Sequence, residues 1–221
     1  FTYRKVKALR LKSMLSQVWN NRSESNLSLM FRDNSVGQNP SYAVGNTSNP
    51  LLFRGQINEN AFKTYALFAQ HVQRFNWLNS KLVAGASIDN SPQTYVARFI
   101  WINKDAASGK YTNYYFPSTD SLLQNYRTHI TNLAAYFDYE LSPFRNFKLV
   151  AALRYDAFRY DFRNHLDTSK TPVAVSGVNT YQRITPKIGV TYNYHGIGFY
   201  ANYSQGYVPP QLTELYPSGS K

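Results

Sequence analysis

The sequence contains no cysteine, so disulfide bonds, thiolate metal sites and thiol nucleophiles are excluded. This absence leaves the cellular compartment open, because many exported bacterial proteins also lack cysteine. Long apolar runs are absent too, and no stretch approaches the ~20 consecutive apolar residues of a membrane helix. A helical span is therefore excluded. A membrane-spanning β-barrel is not, because its strands need only about 9–11 residues with every second one apolar.

Acidic residues are scarce, with 12 Asp and Glu against 24 Lys and Arg, for a formal net charge of +12. Such a charge favours nucleic acid, anionic lipid or an acidic ligand as a partner. Apart from one cluster between Arg4 and Lys12 the basic residues are spread along the chain, so dispersed, solvated charge is the plainer interpretation. A soluble, Tyr-rich β-domain that stacks on nucleic acid is one alternative. Its charge should gather on one face, which is not seen here, so we expect no nucleic-acid partner.

Spacings that indicate catalysis or metal binding are also missing. The four histidines lie far apart in the chain, at His71, His129, His165 and His195. This predicts no metal site made by protein side chains. Gly196-Ile197-Gly198 opens a strand and no helix follows, which favours a turn over a phosphate loop. Ser, His and Asp occur without the arrangement that marks a nucleophile, so we predict no catalytic residue, no cofactor and no enzyme activity.

Aromatic residues, by contrast, are abundant: 19 tyrosines, 14 phenylalanines and 3 tryptophans bring the aromatic share to 16%. Many stand in alternating runs, which are typical of half-buried pleated strands. The clearest run covers residues 131–162, where two arms flank a turn near Pro143 and Asn146. One side of the first arm carries apolar residues, namely Leu133, Ala135, Phe137, Tyr139 and Leu141. The pattern predicts a β-hairpin in an all-β fold.

The connections between predicted strands alternate between short and long. The short ones fall near residues 20–24, 76–79, 143–146 and 195–196, and the long ones at 33–50, 102–126 and 164–180. Up-and-down outer-membrane barrels have short turns on one rim and long loops on the other. The apolar set from Leu149 to Ala157 covers nine positions, close to the about 9–11 residues of a tilted membrane strand. The sequence thus predicts an antiparallel, up-and-down transmembrane β-barrel.

Charged residues occupy the side of these strands that would face the barrel interior. They are Asp138, Glu140, Arg154, Asp156 and Lys187, which we predict to line the lumen. An eight-stranded barrel leaves space for little more than side chains, so a wider polar lumen holds these charges more easily. For Arg154 and Asp156 the plainer interpretation is pairing with charges on the next strand.

Three stretches resemble one known family. They are residues 31–42 (FRDNSVGQNPSY), residues 153–162 (LRYDAFRYDF), and TPKIGV at 185–190 leading to YANYSQGYVPP at 200–210. All three are similar to the barrel of TonB-dependent outer-membrane receptors of the siderophore, or iron-chelate, branch. The resemblance covers nearly the whole chain, and the third stretch is the most specific.

The resemblance implies a receptor that takes a ferric siderophore or similar iron chelate into the periplasm. Such receptors have a 22-stranded barrel in the Gram-negative outer membrane, surrounded by lipopolysaccharide and other outer-membrane lipid. An N-terminal plug closes the barrel, and the TonB–ExbB–ExbD system supplies energy. Residues 1–221 would supply about eight strands as a partial barrel domain. Because no plug, signal peptide or aromatic-ended last strand is recognised, we expect an internal portion of a longer receptor.

The resemblance also places ligand recognition in the long loops and on the upper inner wall. Tyr111, Tyr114 and Tyr115 are candidates for stacking on an aromatic chelate, and Arg98 and Arg127 for attracting its negative charge. The plainer interpretation is that Tyr-rich loops fold on themselves.

Two alternatives to iron-chelate uptake stay open. A receptor for cobalamin or another nutrient would use the same barrel. The chain could also be a small autonomous outer-membrane barrel with an adhesive or structural role, although the missing signal peptide and terminal aromatic strand argue against it.

Overall fold

The computed structural model of the chain describes residues 2–117, 121–167 and 174–216. These residues form one sheet, and its strands in chain order are β1 Tyr3–Asn20, β2 Ser23–Asn39, β3 Ala43–Asn46, β4 Asn49–Phe75, β5 Ser80–Lys104, β6 Tyr111–Tyr115, β7 Leu122–Leu141, β8 Phe147–Asn164, β9 Gly177–Tyr194 and β10 Ile197–Ser204. A 3₁₀ turn at Trp77–Asn79 and helix α1 at Leu212–Leu215 complete the elements. No helix in these ranges is long and apolar enough to cross a membrane.

The sheet is an antiparallel meander. Its strand order is β1-β2-β4-β5-β7-β8-β9-β10, with β3 paired to β4 and β6 paired to β5 off this path. Eight long strands thus follow one another up and down, as the sequence predicts. The structure confirms the all-β, antiparallel, up-and-down fold and the number of long strands.

The register gives the sheet two unlike faces. Opposite Leu133 and Phe137 of β7 stand Ala157 and Leu153 of β8, and Ile88 of β5 lies across from Leu133. We call this side the apolar face and the opposite side the polar face. Leu133, Phe137 and Ile88 are 45–49% exposed there. A continuous band of exposed large apolar side chains indicates contact with an apolar medium or partner.

The turns differ between the two ends of the strands. At one end, which we call the short-turn end, His195 and Gly196 alone join β9 to β10, with φ angles of +45° and +86°. Two positive φ values are the signature of the tight hairpin turn, which glycine adopts without steric cost. The opposite, long-connection end carries β3, β6 and the segment between β8 and β9.

At the long-connection end β4 and β5 stay paired with each other. β3 pairs with the outer edge of β4, and β6 pairs with the outer edge of β5. This four-stranded extension has its own core of Ile57, Ile100 and Ile102, against which Tyr114 packs. The structure therefore corrects the prediction of an irregular loop over residues 102–126. Burial of Ile100 and Ile102 favours a paired neighbour, which β6 supplies.

The tip between β5 and β6 is a tight turn closed by Asp105. Its Oδ1 accepts hydrogen bonds from the Ser108 hydroxyl at 2.6 Å and from the Ser108 backbone N–H at 2.8 Å. These hydrogen bonds lower the pKa of the Asp105 carboxyl, and the bond from the Ser108 hydroxyl has the largest effect. Because the folded pKa lies below the unfolded value, the stabilisation is present at neutral pH and is lost as pH falls through the lowered pKa.

Strand β5 continues past Asp89 to Lys104 without interruption. The polar composition of residues 89–92 is typical of a turn, yet Pro92 is paired with His129 of β7. Towards β4 the pairing skips Ser91 and Pro92, because proline has no N–H to donate. A hydrogen bond of 2.9 Å between the Thr64 and Ser91 hydroxyls bridges this gap.

Gly85 lets an aromatic ring lie flat against β5 on the polar face. A Cβ at this position would stand 2.5 Å from the ring of Tyr136, directly across on β7. We expect Gly85→Ala to lower the stability of the folded protein by about 1–3 kcal/mol through overpacking. The temperature at which the folded species disappears on heated-sample gels measures the effect. Gly189→Ala is the matched control, since its nearest neighbour is 3.8 Å away, and equal shifts for both variants would contradict the prediction.

Candidate ligand site

Near the short-turn end, the polar face carries a cluster of charges. Arg154 binds Asp156 through two hydrogen bonds of 2.7 Å each, and its guanidinium lies 6.0 Å from the Tyr136 ring. Glu140 pairs with Lys148 at 2.8 Å and with Lys81 at 3.2 Å. Arg154 and Asp156 thus pair with each other along one strand, and the prediction of pairing with the next strand is wrong for these two residues.

The five residues predicted to line the lumen all lie on this polar face. Lys187 joins the other four because it stands opposite Ala152 of β8. A cavity of about 650 Å³ is bordered by Asp138, Glu140, Arg154 and Lys187, whereas Asp156 lies beside it, held by Arg154. The strand alternation therefore brings these charges together, and most of their charge is neutralised locally by the ion pairs.

Towards the long-connection end, the same face carries a ladder of aromatic rings. Tyr95 of β5 stacks on Tyr126 of β7 with ring centroids 5.3 Å apart, and Tyr126 lies 5.1 Å from Phe162 of β8. The rings meet because Tyr95 and Tyr126 are opposite each other in the register, while Phe162 is the diagonal neighbour of Tyr126. Three adjacent strands thus build one aromatic platform.

The platform borders a cavity of about 690 Å³. Its polar lining comes from side chains without charge, including Asn60 and Gln93, which are joined by a hydrogen bond of 3.0 Å. Tyr160 and Ile130 add further apolar surface. A concave, mostly apolar site with a few convergent polar groups is the usual form of a small-molecule site.

The chain itself covers this cavity after β10. Residues 205–216, which we call the strap, cross the polar face and contain helix α1. The Tyr216 ring stacks on Phe162 with centroids 3.9 Å apart and an interplanar angle of 8°, and Asn179 Nδ2 donates a 2.7 Å hydrogen bond to the Tyr216 hydroxyl. The aromatic ladder therefore gains a fourth ring.

The structure does not bring the five ligand residues named from the sequence into this cavity. Tyr111, Tyr114 and Tyr115 lie in β6 of the extension, where Tyr111 meets Phe53 edge to face at 5.3 Å. Arg98 and Arg127 alternate onto the side of their strands opposite to Tyr95 and Tyr126.

Some of the ladder residues carry a signal in the sequence. Phe158, Tyr160 and Phe162 already fall on the polar side of β8 when its alternation is counted past Ala157. Tyr95 requires β5 to be extended through Pro92. Tyr216 has no periodic signal, because it follows a segment without strand pattern.

Other chemistry finds little support on the described part of the chain. Within residues 2–117, 121–167 and 174–216, no three His, Cys, Asp or Glu side chains gather as possible metal ligands. His71 is held by serine hydroxyls, with its Nδ1 2.8 Å from Ser25 Oγ. The arrangement on the polar face is suited to binding a molecule by stacking and hydrogen bonding.

Comparison with solved structures gives the same fold. The siderophore receptor PiuA from Acinetobacter baumannii matches with a TM-score of 0.63 at 14% identity, over 92% of this chain and 32% of that chain. Ferric citrate transporter FecA in its unliganded form matches with a TM-score of 0.61 at 14% identity, over 90% and 27%. Copper transporter OprC matches with a TM-score of 0.53 at 14% identity, over 92% and 29%. The chain thus spans between about a quarter and a third of the length of these proteins.

A family profile identifies the chain more directly than these folds. Curated protein sequences give no significant match. The profile described as TonB dependent receptor-like, beta-barrel, matches residues 8–220, which is nearly the whole chain. The chain therefore belongs to the TonB-dependent receptors and carries sequence of their β-barrel domain.

Proposed function

We propose that the chain is part of an outer-membrane receptor that takes a ferric siderophore or similar iron chelate into the periplasm. The observation that carries the proposal is the aromatic cavity on the polar face, built by Tyr95, Tyr126 and Phe162. The polar face is the lumen side of the barrel, and the long-connection end is the outside. Under this proposal the cavity is the upper inner wall, where an incoming nutrient first meets the barrel.

The cavity suits a chelate with planar aromatic groups. Ring stacking contributes about 0.5–1.5 kcal/mol per pair beyond area burial, and the side chains that line the cavity carry no charge to repel an anion. The net charge of +12 favours the approach of an anionic chelate from a distance. Recognition then combines long-range attraction with short-range stacking.

Residues 1–221 would form a partial barrel domain, and further segments would complete the receptor. A plug outside this chain would fill the lumen against the charged cluster around Arg154 and Glu140. The TonB–ExbB–ExbD system would move that plug, and this chain's contribution would be the wall and its ligand surface. The protein would act as a transporter without an enzymatic step.

The ligand class is tested by binding to the intact receptor in detergent. Ferric catecholates, ferric citrate, cobalamin and copper are titrated separately, and the protein's fluorescence is followed. We expect saturable binding of a ferric catecholate. Binding of cobalamin or copper alone would overturn the iron proposal, and would favour the vitamin or metal branches of the same family.

The apolar face would contact outer-membrane lipid, with lipopolysaccharide at its outer border. Directly beyond the apolar band the same side of β7 and β8 carries Arg127, Arg159 and Arg163. Arg127 and Arg163 stand opposite each other, an arrangement that is destabilising unless negative charge lies between them. Asp161 supplies one carboxylate, 3.3 Å from Arg163. Lipid phosphates would supply the remaining negative charge between these arginines.

We expect the double substitution Arg127→Ala and Arg159→Ala to reduce stabilisation of the receptor by added lipopolysaccharide. Each arginine near an anionic lipid surface contributes about 1 kcal/mol, so most of the rise in melting temperature caused by the lipid should vanish. The rise is measured as the difference between the melting temperatures of the purified receptor with and without lipopolysaccharide. Lys148→Ala, on the polar face, is the control and should keep the full rise. An undiminished rise in the double variant would contradict lipid contact here.

A further inference from the structure

The outermost ring of the aromatic ladder has a different origin from the other three. Tyr95, Tyr126 and Phe162 are fixed by hydrogen-bonded strands, whereas Tyr216 comes from the strap. Yet the Tyr216 contact is the tightest of the series, at 3.9 Å and nearly parallel. The exposed surface of Phe162 falls to 4% under this cover. The best stacking position of the cavity is therefore occupied by the protein's own side chain.

We propose that Tyr216 holds, in the unliganded receptor, the position on Phe162 that a phenol- or catechol-type ring of the ligand takes over, so that binding displaces the strap. This inference rests on the proposed function. It adds a defined subsite, the chemical class of the group that fills it, and a movement coupled to its filling.

The strap's own contacts make it the displaceable partner. Its contacts with the sheet include the Gln205 N–H bond to the Pro186 carbonyl at 3.1 Å, the Gln205 Nε2 bond to the Tyr203 hydroxyl at 2.6 Å, the contact of Tyr207 with Phe158 at 6.2 Å, and the Tyr216 contacts. Helix α1 has four residues and is closed by its own capping box, through the Gln211 N–H and Glu214. Segments with few contacts open at lower free energy than paired strands.

The contacts of Tyr216 define what can replace it. Its ring needs a flat apolar partner on Phe162, and its hydroxyl oxygen accepts the hydrogen bond from Asn179. A phenolic or catecholic ring reproduces both contacts. A chelate built only from aliphatic carboxylates can accept the hydrogen bond but has no ring to stack on Phe162, so it should not take the position of Tyr216.

The test compares Tyr216→Ala with Tyr216→Phe in the intact receptor, using ferric 2,3-dihydroxybenzoate and ferric citrate as probes. Removing the competing ring should tighten binding of the catecholate about three- to tenfold, the equivalent of one stacking contact. Tyr216→Phe keeps the ring and should change affinity about twofold or less. Affinity for ferric citrate should stay the same in both variants. Weaker catecholate binding by Tyr216→Ala would overturn the proposal, since Tyr216 would then belong to the site.

Movement of the strap gives a second, independent measurement. This chain has no cysteine, so Val208→Cys on the strap and Ile88→Cys on the apolar face place two spin labels at exposed positions. The mean distance between the labels should change when the catecholate is added. In Tyr216→Ala the distribution of distances should be broader than in the wild type, even without any probe. An unchanged distance with bound catecholate overturns the inference and leaves the proposed function standing. A wild-type receptor that binds neither ferric probe overturns both.

Discussion

A receptor with Phe162 replaced by leucine is expected to bind an aromatic ferric chelate at least tenfold more weakly than the wild type. Phe162 joins the ring of Tyr126 to the position covered by Tyr216, so the ladder is broken at its centre. Central, desolvated aromatic residues typically contribute about 2 kcal/mol or more to binding, which corresponds to roughly thirtyfold. Fluorescence titration of the intact receptor measures the loss.

Leucine is chosen over alanine because it keeps most of the buried volume. A phenylalanine-to-alanine change in a packed site costs about 3–5 kcal/mol of stability and would confuse folding with binding. Phe144→Leu is the control, since Phe144 makes aromatic contacts near the short-turn end, with Phe147 at 5.1 Å. Equal binding by Phe162→Leu and the wild type would remove the aromatic platform as the ligand site.

The second large effect is expected on the apolar face. Leu153→Arg places a charge between Phe137 and Pro186, near the middle of the apolar band. An arginine at the bilayer midplane costs about 2–4 kcal/mol. We expect the folded fraction in lipid vesicles to fall at a lower urea concentration than for the wild type, as followed by gel mobility.

The neighbouring position supplies a control with the same chemistry. Ala152→Arg adds an identical charge on the polar face, between Asp138 and Lys187, where water and a carboxylate can receive it. Its effect on the urea midpoint should be small. If both substitutions destabilise the barrel equally, the two faces do not differ in their surroundings, and the assignment of the apolar face to lipid is wrong.

Much of this fold follows from the sequence because the side-chain period of a strand is short. Leu133, Phe137 and Leu149 alternate with polar residues, so hairpin, register and faces are fixed together over residues 131–162. The tight turn at His195 and Gly196 is equally local, since two residues with positive φ suffice to define it.

The rest depends on contacts distant in the chain. β6 forms because Tyr114 packs on the core of the extension. Residues 111–115 contain no alternation of apolar and polar residues from which that contact could be predicted. Pro92 looks like a strand end, yet only one of its two neighbouring ladders is interrupted. The aromatic platform is not predicted from the sequence for the same reason, because Tyr95 lies beyond that proline. Tyr216 is placed by Asn179 and Phe162, 37 and 54 positions earlier in the chain.

The unequal ends of the strands also bear on how such receptors diversify. At the short-turn end, β9 and β10 are joined by two residues whose backbone angles leave no freedom for added length. At the other end, β3 and β6 are built onto a hairpin whose pairing continues without them. Insertions and deletions can therefore accumulate beside the aromatic cavity while the strand registers of the rest of the sheet stay intact. One sheet can thus carry different surfaces around the aromatic cavity, with the variation confined to its long-connection end.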